Sequence, residues 1–272
     1  MGKWGRHDRL VLKEERVLYL KVIAIVQARM LSTRLHGKIL ADICGKPLLH
    51  HVIDRVQHVE TIDGIIVATT IRKEDDVLEE YCKSVNIDTF RGDESDVLDR
   101  FYKSAKSCLA DIVVRVTADD PFKDPEVIDR AIKLLTDNKR LDYVSNTIKP
   151  TYPEGVDIEA FTFAALERAW REAKSLSERE HVTPYIWKNQ ALFSTLNFEY
   201  EKDISGLRWT VDTEKDLEFT CEIYSRLYRP GKIFSMEDIL RLLEREPRLK
   251  EINQGIERNL GYKRSVLGEK KR

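Results

Sequence analysis

Cysteine is scarce in this sequence, and no two cysteines stand at the Cys-x-x-Cys spacing that is typical of zinc and redox sites. The four that occur are Cys44, Cys82, Cys108 and Cys221. Their scatter argues against a metal site or a disulfide framework, and it indicates buried thiols in a reducing compartment.

Apolar runs of the kind found in membrane spans and secretory signals are also lacking. No apolar run approaches the roughly 18–20 residues that a transmembrane helix needs. Residues 1–20 are charged throughout and lack the apolar block of a secretory signal. We therefore expect a soluble, cytoplasmic protein with no membrane partner, in which residues 1–20 form an N-terminal extension without a chemical role.

The chain has no excess of charge of either sign, because 46 Lys and Arg residues face 47 Asp and Glu residues. This balance argues against a nucleic-acid partner bound on a broadly basic surface, but it leaves a local basic pocket open. Charged residues make up 34% of the chain, above the usual level of about a quarter, and the 42% of hydrophobic residues can supply a core.

Apolar runs rich in β-branched residues alternate with segments of helical periodicity. Strands are predicted at Lys21–Val26, Gly64–Thr70 and Asp111–Thr117, and later at "LFSTLNFEY" and "LRWTVD". Helices follow the early strands, and Asp124 with Pro125 predicts where one of them begins. This order predicts an α/β fold with a mostly parallel, Rossmann-like sheet covered by helices on both faces.

Neither glycine-rich phosphate motif, GxxxxGK[ST] or GxGxxG, occurs in the sequence. The loop after the first strand, "QARMLSTRLHGK", instead carries Arg29, Arg34 and Lys38, with the hydroxyl of Ser32 among them. Guanidinium and ammonium groups bind phosphate oxygens, so the loop predicts a phosphate site, with a solvated loop of salt bridges as the alternative. Ligands bind at the carboxyl ends of parallel strands, which places "TADDPFKDP" nearby.

Carboxylates follow two of the predicted strands. Asp119 and Asp120 come directly after one strand, and Asp212 comes after "LRWTVD". Mg²⁺ takes one or two carboxylates and completes its octahedron with phosphate oxygens and water, so Asp119 and Asp212 are predicted metal ligands. The alternatives are turn acids that lead into the Asp124 cap, and an Asp212 that caps the following helix.

Several blocks, including "QARMLSTRLHGKILADICGKPLLHHVIDR", "FRGDESDVLDRFY", "VVRVTADDPFKDPEVID", "EGVDIEAF", "SEREHVTPYIW" and "RWTVDTEKD", occur in one order from about Lys21 to about Glu246. In them the sequence resembles the cytidylyltransferases of the spore-coat polysaccharide biosynthesis type, which are similar to 3-deoxy-manno-octulosonate and acylneuraminate cytidylyltransferases. The resemblance implies a nucleotide-diphospho-sugar transferase fold. It also implies a reaction in which CTP and an acceptor give a CMP-acceptor and pyrophosphate.

The resemblance implies roles for residues of the charged loop and of the strand ends. The family motif Arg-x-x-Ser-x-Arg-x-x-x-Lys falls on the loop, and the family's metal-binding Gly-Asp pair appears here as Ala118-Asp119. The implied triphosphate-binding residues are Arg29, Ser32, Arg34 and Lys38. The implied catalytic residues are Arg29, Lys38, Asp119 and Asp212, of which the two aspartates bind Mg²⁺.

Recognition of the base and of the acceptor is expected from other segments. Gln27 and Ala28 are expected to lie under the base and ribose, and Asp96 and Arg100, four residues apart at a helix start, are expected to help select cytosine. The acceptor candidates are Asp157, Glu180, His181 and Tyr185. His181 is favoured as a structural histidine over a catalytic base.

One cytidylyltransferase domain is predicted over residues 21–246, followed by a C-terminal tail over 247–272. Residues 147–200 are predicted to cover the substrate and are a candidate contact for a homodimer. The predicted function is transfer of CMP from CTP to a sugar acid or related small molecule for surface glycan synthesis. A nucleotide-sugar-dependent glycosyltransferase and a catalytically inert nucleotide-binding partner protein are the alternatives.

Overall fold

The computed structural model describes residues 20–32 and 34–269. Residues 1–19 of the predicted N-terminal extension lie outside the described residues, as does Thr33 of the charged loop. The strands are β1 Val22–Gln27, β2 Asp42–Ile43, β3 Lys46–Pro47, β4 Gly64–Thr70, β5 Asp88–Gly92, β6 Ile112–Thr117, β7 Tyr143–Ser145, β8 Glu159–Thr162 and β9 Thr195–Asn197. The α-helices are α1 Leu48–Gln57, α2 Asp76–Ser84, α3 Val97–Ser107, α4 Pro125–Asp137, α5 Phe163–Glu172, α6 Leu176–His181, α7 Pro184–Lys188, α8 Glu214–Leu227, α9 Met236–Arg245 and α10 Leu260–Glu269. Three short 3₁₀-helices cover Lys38–Leu40, Lys73–Asp75 and Pro247–Glu251.

A seven-stranded sheet in the order β5-β4-β1-β6-β8-β7-β9 forms the centre of the fold. Strands β5, β4, β1 and β6 run parallel, and β8 is antiparallel to both β6 and β7. The predicted mostly parallel sheet is therefore confirmed. The chain passes from β1 to β4 on one side and then to β6 on the other, and such a reversal of strand order marks the crevice where α/β sheets bind ligands.

Both faces of the sheet are buried. Side chains alternate along β1, so that Val22, Ala24 and Val26 join one hydrophobic core while Ile23 and Ile25 join a second core on the opposite face. Helices α1, α4, α8 and α9 contribute to the first core, and α3 and α5 to the second. This arrangement explains why the early strands are continuous apolar runs.

Helix starts agree with the local sequence. The Asp124 carboxylate accepts from the backbone N–H groups of Glu126 and Val127 at the start of α4, as predicted. Thr213 and Asp216 form a reciprocal capping box at the start of α8. These caps fix where each helix begins, near the carboxyl-terminal end of the parallel strands, where the charged loop also lies.

The prediction of a strand at "LRWTVD" is wrong. Arg208 makes only an isolated bridge with Glu154, and the residues around it are not part of the sheet. The backbone N–H of Trp209 donates to the Glu154 carbonyl at 2.6 Å, and that of Val211 donates to the Asp119 carbonyl at 2.8 Å. The segment looks like a strand because it is apolar and extended, but its hydrogen bonds go to two loops.

Within residues 20–32 and 34–269, no helix has both the length and the apolar character that crossing a bilayer requires.

Candidate functional site

A cavity of about 380 Å³ opens at the carboxyl ends of β1 and β6. Gln27 from the end of β1 and Thr117 from the end of β6 line it, together with Asp119 and Asp212. His181 and aromatic side chains also line it. The cavity thus lies at the reversal of strand order, where the topology predicts a ligand site.

Lys38 brings the two predicted metal ligands together. Its ammonium nitrogen donates to Asp119 Oδ2 at 2.7 Å, to Asp212 Oδ1 at 2.8 Å and to the Val211 carbonyl at 2.7 Å. All three ammonium protons are therefore used, and only 6% of the residue is exposed. Lys38 and Asp212 are thus in direct contact although they are 174 positions apart in the chain. We call Lys38, Asp119 and Asp212 the charge centre.

Lys38 and Asp119 stabilise each other's charged forms. Burial alone would lower the pKa of the Lys38 ammonium, but the carboxylates of Asp119 and Asp212 raise it above its ordinary value. Burial would likewise raise the pKa of Asp119, and the Lys38 ammonium more than offsets this, so the pKa of Asp119 is lowered. Each group stabilises the charged form of its neighbour.

A buried arginine holds Asp212 in place. Arg208 donates to Asp212 Oδ2 at 2.9 Å, to Asp216 Oδ1 at 3.0 Å and to Glu154 Oε2 at 2.5 Å. The side chain of Arg208 is 5% exposed, and that of Asp216 is fully buried. The pKa of Arg208 is raised because these carboxylates outweigh the effect of its burial. Asp212 is therefore shared between Arg208 on one oxygen and Lys38 on the other.

Gly155 allows the Asp212 segment to pack closely. Its φ is +107°, in the region that favours glycine, and a Cβ there would lie 2.6 Å from the carbonyl carbon of Trp209. No side chain fits at that distance. The glycine lets the backbone that carries Asp212 lie directly against the loop of Glu154.

The charged loop is tied to the neighbouring strand by a buried carboxylate. Asp75 accepts from the backbone N–H of Met30 at 2.7 Å and from that of Thr70 at 3.2 Å. Arg34 reaches from this loop to Asp212 Oδ1 at 2.8 Å. Arg29 stays 43% exposed, with Glu94 at 3.6 Å as its ion-pair partner. The loop therefore presents one buried cation, Lys38, and two exposed ones, Arg29 and Arg34.

Other predicted nucleotide residues take different positions. Gln27 lines the cavity and accepts at Oε1 from Arg115 Nε at 3.2 Å. Ala28 is buried and donates its backbone N–H to the Ala68 carbonyl. The Ser32 hydroxyl lies 3.5 Å from the Leu35 nitrogen.

Asp96 and Arg100 are not among the described residues that line the cavity. Asp96 caps α3 and pairs with Arg179 Nη2 at 2.5 Å. Arg100 is buried and donates to the Asp93 carbonyl at 2.8 Å. Burial and the nearby Arg29 lower the pKa of Arg100 to about 10. Both side chains have structural partners, and their role in choosing cytosine stays a prediction.

The acceptor candidates divide into two pairs. Asp157 and His181 line the cavity, whereas Glu180 and Tyr185 are absent from its described lining. Tyr185 donates to Glu172 at 2.7 Å on the surface. Burial, with a smaller effect of Arg115, lowers the pKa of His181 to about 4, which keeps its ring neutral at physiological pH.

Sequence reasoning missed Arg115 and Glu159. Arg115 Nη1 donates to Glu159 Oε2 at 2.5 Å, and Glu159 Oε1 accepts from the hydroxyls of Tyr143 and Thr183. A charged residue in the middle of the apolar strand "DIVVRVT" was the available signal, since an unpaired buried charge is costly. Arg115 lines the cavity, as His181 does.

The charge centre fits a magnesium ion by its chemistry. The atoms that would bind the ion are carboxylate oxygens of Asp119 and Asp212. The Lys38 ammonium, which is also a cation, lies between these two carboxylates. Across residues 20–32 and 34–269, no three His, Cys, Asp or Glu residues form a ready-made metal cage. A Mg²⁺ that shares its shell with phosphates needs only one or two carboxylates.

Comparisons with known proteins show which family the chain is similar to. Residues 23–253 match the family model described as cytidylyltransferase. The chain is 32% identical over 232 residues to the spore coat polysaccharide biosynthesis protein SpsF of Bacillus subtilis, covering 83% of this chain and 95% of that protein. It is 35% identical over 125 residues to 3-deoxy-manno-octulosonate cytidylyltransferase of Pelobacter propionicus, covering 45% of this chain and 47% of that protein.

A solved structure shares the fold. A cytidylyltransferase from Leptospira borgpetersenii superposes with a TM-score of 0.82 at 32% identity, covering 88% of this chain and all of that one. The predicted nucleotide-diphospho-sugar transferase fold is thereby confirmed, as is the resemblance found in the sequence. The chain belongs to the cytidylyltransferase family.

Proposed function

We propose that this protein transfers CMP from CTP to a small sugar acid and releases pyrophosphate, in the synthesis of a surface glycan. The observation that carries the proposal is the charge centre beside the charged loop, at the carboxyl ends of β1 and β6. The family match supports cytidylyl transfer. Similarity to a 3-deoxy-manno-octulosonate cytidylyltransferase and to a polysaccharide biosynthesis protein supports a sugar acid acceptor and the glycan context.

The chain contributes position and charge to this reaction. Arg29 and Arg34 bind the triphosphate from the loop, and Lys38 neutralises charge at the aspartates or at a phosphate oxygen. The acceptor oxygen attacks the α-phosphorus in line, and pyrophosphate leaves with the electrons of the broken bond. Phosphoryl transfer depends on positioning and electrostatic stabilisation more than on covalent catalysis, so a direct single displacement suffices.

Asp119 and Asp212 would hold Mg²⁺ in this proposal. When bound, the ion offsets negative charge on phosphate oxygens as the α-phosphorus is attacked. Lys38 then exchanges at least one carboxylate for a phosphate oxygen, because its three protons are all engaged in the described structure. A cytoplasmic location and a homodimer contact through residues 147–200 remain part of the proposal.

Incubation with each of the four nucleoside triphosphates, Mg²⁺ and a panel of sugar acids tests the proposed reaction, with pyrophosphate and the acceptor product both measured. A wrong base leaves a hydrogen-bonding group of the site unpaired, which costs about 1–3 kcal/mol. We therefore expect CTP to react about one to two orders of magnitude faster than UTP. A parallel incubation with nucleotide sugars tests the glycosyltransferase alternative, which sugar transfer without pyrophosphate would indicate. No reaction with any nucleotide or nucleotide sugar would indicate the inert partner.

Replacing Arg29 tests an exposed cation of the loop. Arg29→Ala removes charge-assisted hydrogen bonds worth about 1.5–3 kcal/mol each, so kcat/KM for CTP should fall roughly 10- to 150-fold. The melting temperature should hardly change, because Arg29 is 43% exposed and its ion pair is 3.6 Å long. Unchanged kinetics with a collapsed melting temperature would mean that the residue is structural.

A further inference from the structure

The C-terminal segment Asn253–Glu269, here called the C-terminal strap, returns to the cavity after α9. The family model ends at Asn253, so the rest of the strap lies beyond the family match. Even so, Asn259 and Tyr262 line the cavity. A segment outside the shared family region thus forms part of the wall of the site.

The strap is anchored on the acids that hold the charge centre. Asn253 Nδ2 donates to Asp216 Oδ1 at 3.0 Å and to the Arg208 carbonyl at 2.9 Å. The backbone N–H of Asn259 donates to Glu154 Oε1 at 2.9 Å. The strap therefore has a defined register relative to the buried Arg208 network.

Arg258 in the strap pairs with Asp157, an acceptor candidate that lines the cavity. The Arg258 guanidinium also donates to the Tyr152 carbonyl at 2.9 Å. Its position is thus fixed by the backbone as well as by the carboxylate. Arg258 is not among the described residues that line the cavity, but it fixes the rotamer of the Asp157 carboxylate, which does line it.

Tyr262 completes an aromatic wall of the cavity. Its ring centroid is 6.0 Å from that of Trp187 and 5.1 Å from that of His181. Behind this wall, the Ser265 hydroxyl donates to Glu180 Oε2 at 2.8 Å. Helix α10 is therefore docked on α6, and the wall is formed jointly by the two helices.

We propose that the C-terminal strap is part of the acceptor site, with Tyr262 contacting the sugar acid and Arg258 positioning Asp157 for it. The inference rests on the proposed function for the identity of the acceptor. Carboxylates bind the hydroxyl groups of a sugar, and an aromatic ring such as that of Tyr262 packs against the C–H face of a sugar ring. In the proposed function CTP is bound by the charged loop, so the strap is left to contact the acceptor.

Steady-state kinetics of strap variants tests this, using whichever acid of the panel wild type turns over. Tyr262→Ala should raise KM for the acid about 10-fold by removing an aromatic contact, and should leave KM for CTP within about twofold. Lys263→Ala is the matched control, because the neighbouring Lys263 pairs only with Glu257 at the surface among the described contacts. An acceptor KM in Tyr262→Ala equal to that of wild type would overturn the inference.

Arg258→Met tests the positioning role by a pH profile. The pKa of Asp157 is raised to about 6 by burial, against the opposing effects of Arg258 and Lys123, while Asp120 and Glu154 raise it further. Loss of Arg258 should raise this pKa, so Asp157 becomes ionised only at a higher pH. The acceptor KM should therefore fall at a higher pH in the variant than in wild type. Arg258→Lys should restore part of the profile. A profile unchanged in Arg258→Met would contradict the role.

A second measurement needs neither CTP nor acceptor. Acrylamide quenching of Trp187 fluorescence, taken as the difference from Trp187→Phe, reports access to the aromatic wall. We expect the quenching constant to rise about twofold in Tyr262→Ala and to stay unchanged in Lys263→Ala. An unchanged constant in Tyr262→Ala would overturn the placement of the strap. A wild type that turns over no sugar acid would instead count against the proposed function.

Discussion

Asp119→Asn is expected to lower kcat for cytidylyl transfer by about 10²- to 10³-fold, the loss typical when one preorganised charge is removed from a reacting centre. The neutral amide can neither bind Mg²⁺ as strongly nor neutralise Lys38. Asp119 and Lys38 are both charged at neutral pH, because each shifts the pKa of the other toward the ionised form. Steady-state kinetics with saturating CTP and Mg²⁺ measures the loss.

The fold should survive this change. Lys38 keeps Asp212 and the Val211 carbonyl as partners, and the Asp119 side chain is 29% exposed. The stability that Asp119 contributes through its lowered pKa is present above the unfolded pKa of an aspartate and is lost as pH falls. Asp203→Asn is the matched control, because Asp203 lies on the surface and, among the described residues, its carboxylate accepts hydrogen bonds from Ser205. Full activity in Asp119→Asn would remove this carboxylate from the mechanism.

Arg208→Met is expected to destabilise the protein by about 3–5 kcal/mol, because it leaves Glu154, Asp212 and Asp216 buried without their common cation. For a chain of this size that corresponds to a fall in melting temperature of roughly 6–20 °C. Activity should fall as well, because Asp212 loses the partner of its second oxygen. Thermal and urea denaturation measure the first effect.

The matched control is Arg226→Met on α8. Arg226 also bridges two carboxylates, those of Glu222 and Glu246, but its side chain is 34% exposed. Such a surface pair contributes about 0–1 kcal/mol, so this variant should unfold close to wild type. Equal effects of the two substitutions would show that burial of the Arg208 network does not decide its contribution to stability.

Much of the fold follows from local patterns. The strand "GIIVATT" was predicted over Gly64–Thr70, the residues that β4 occupies, because seven residues without a charge lie between turn signals. The α4 cap was predictable because Asp124 and Pro125 act within one turn. The strand prediction for the segment around Arg208 is wrong, because local sequence does not show that the hydrogen-bond partners of this segment lie in two distant loops.

The candidate site was predictable where its chemistry is local. Three cations in one loop and aspartates after apolar runs identify Lys38, Asp119 and Asp212, and the structure brings them to one point. Arg258 and Tyr262 could not be predicted, because their roles depend on how a distant helix docks on α6. The i, i+4 spacing of Asp96 and Arg100 describes a helix face and does not report which side chains face the cavity.

The fate of each phosphorus atom of CTP tests cytidylyl transfer most directly. Parallel reactions contain wild-type protein, Mg²⁺, a sugar acid, and CTP labelled with ³²P at either the α or the γ position. We predict that the α label appears in the CMP-acceptor and the γ label in pyrophosphate, in equal amounts. Transfer of the γ label to the acceptor, or retention of the α label on the protein as a covalent adduct, would contradict the proposed direct transfer of CMP.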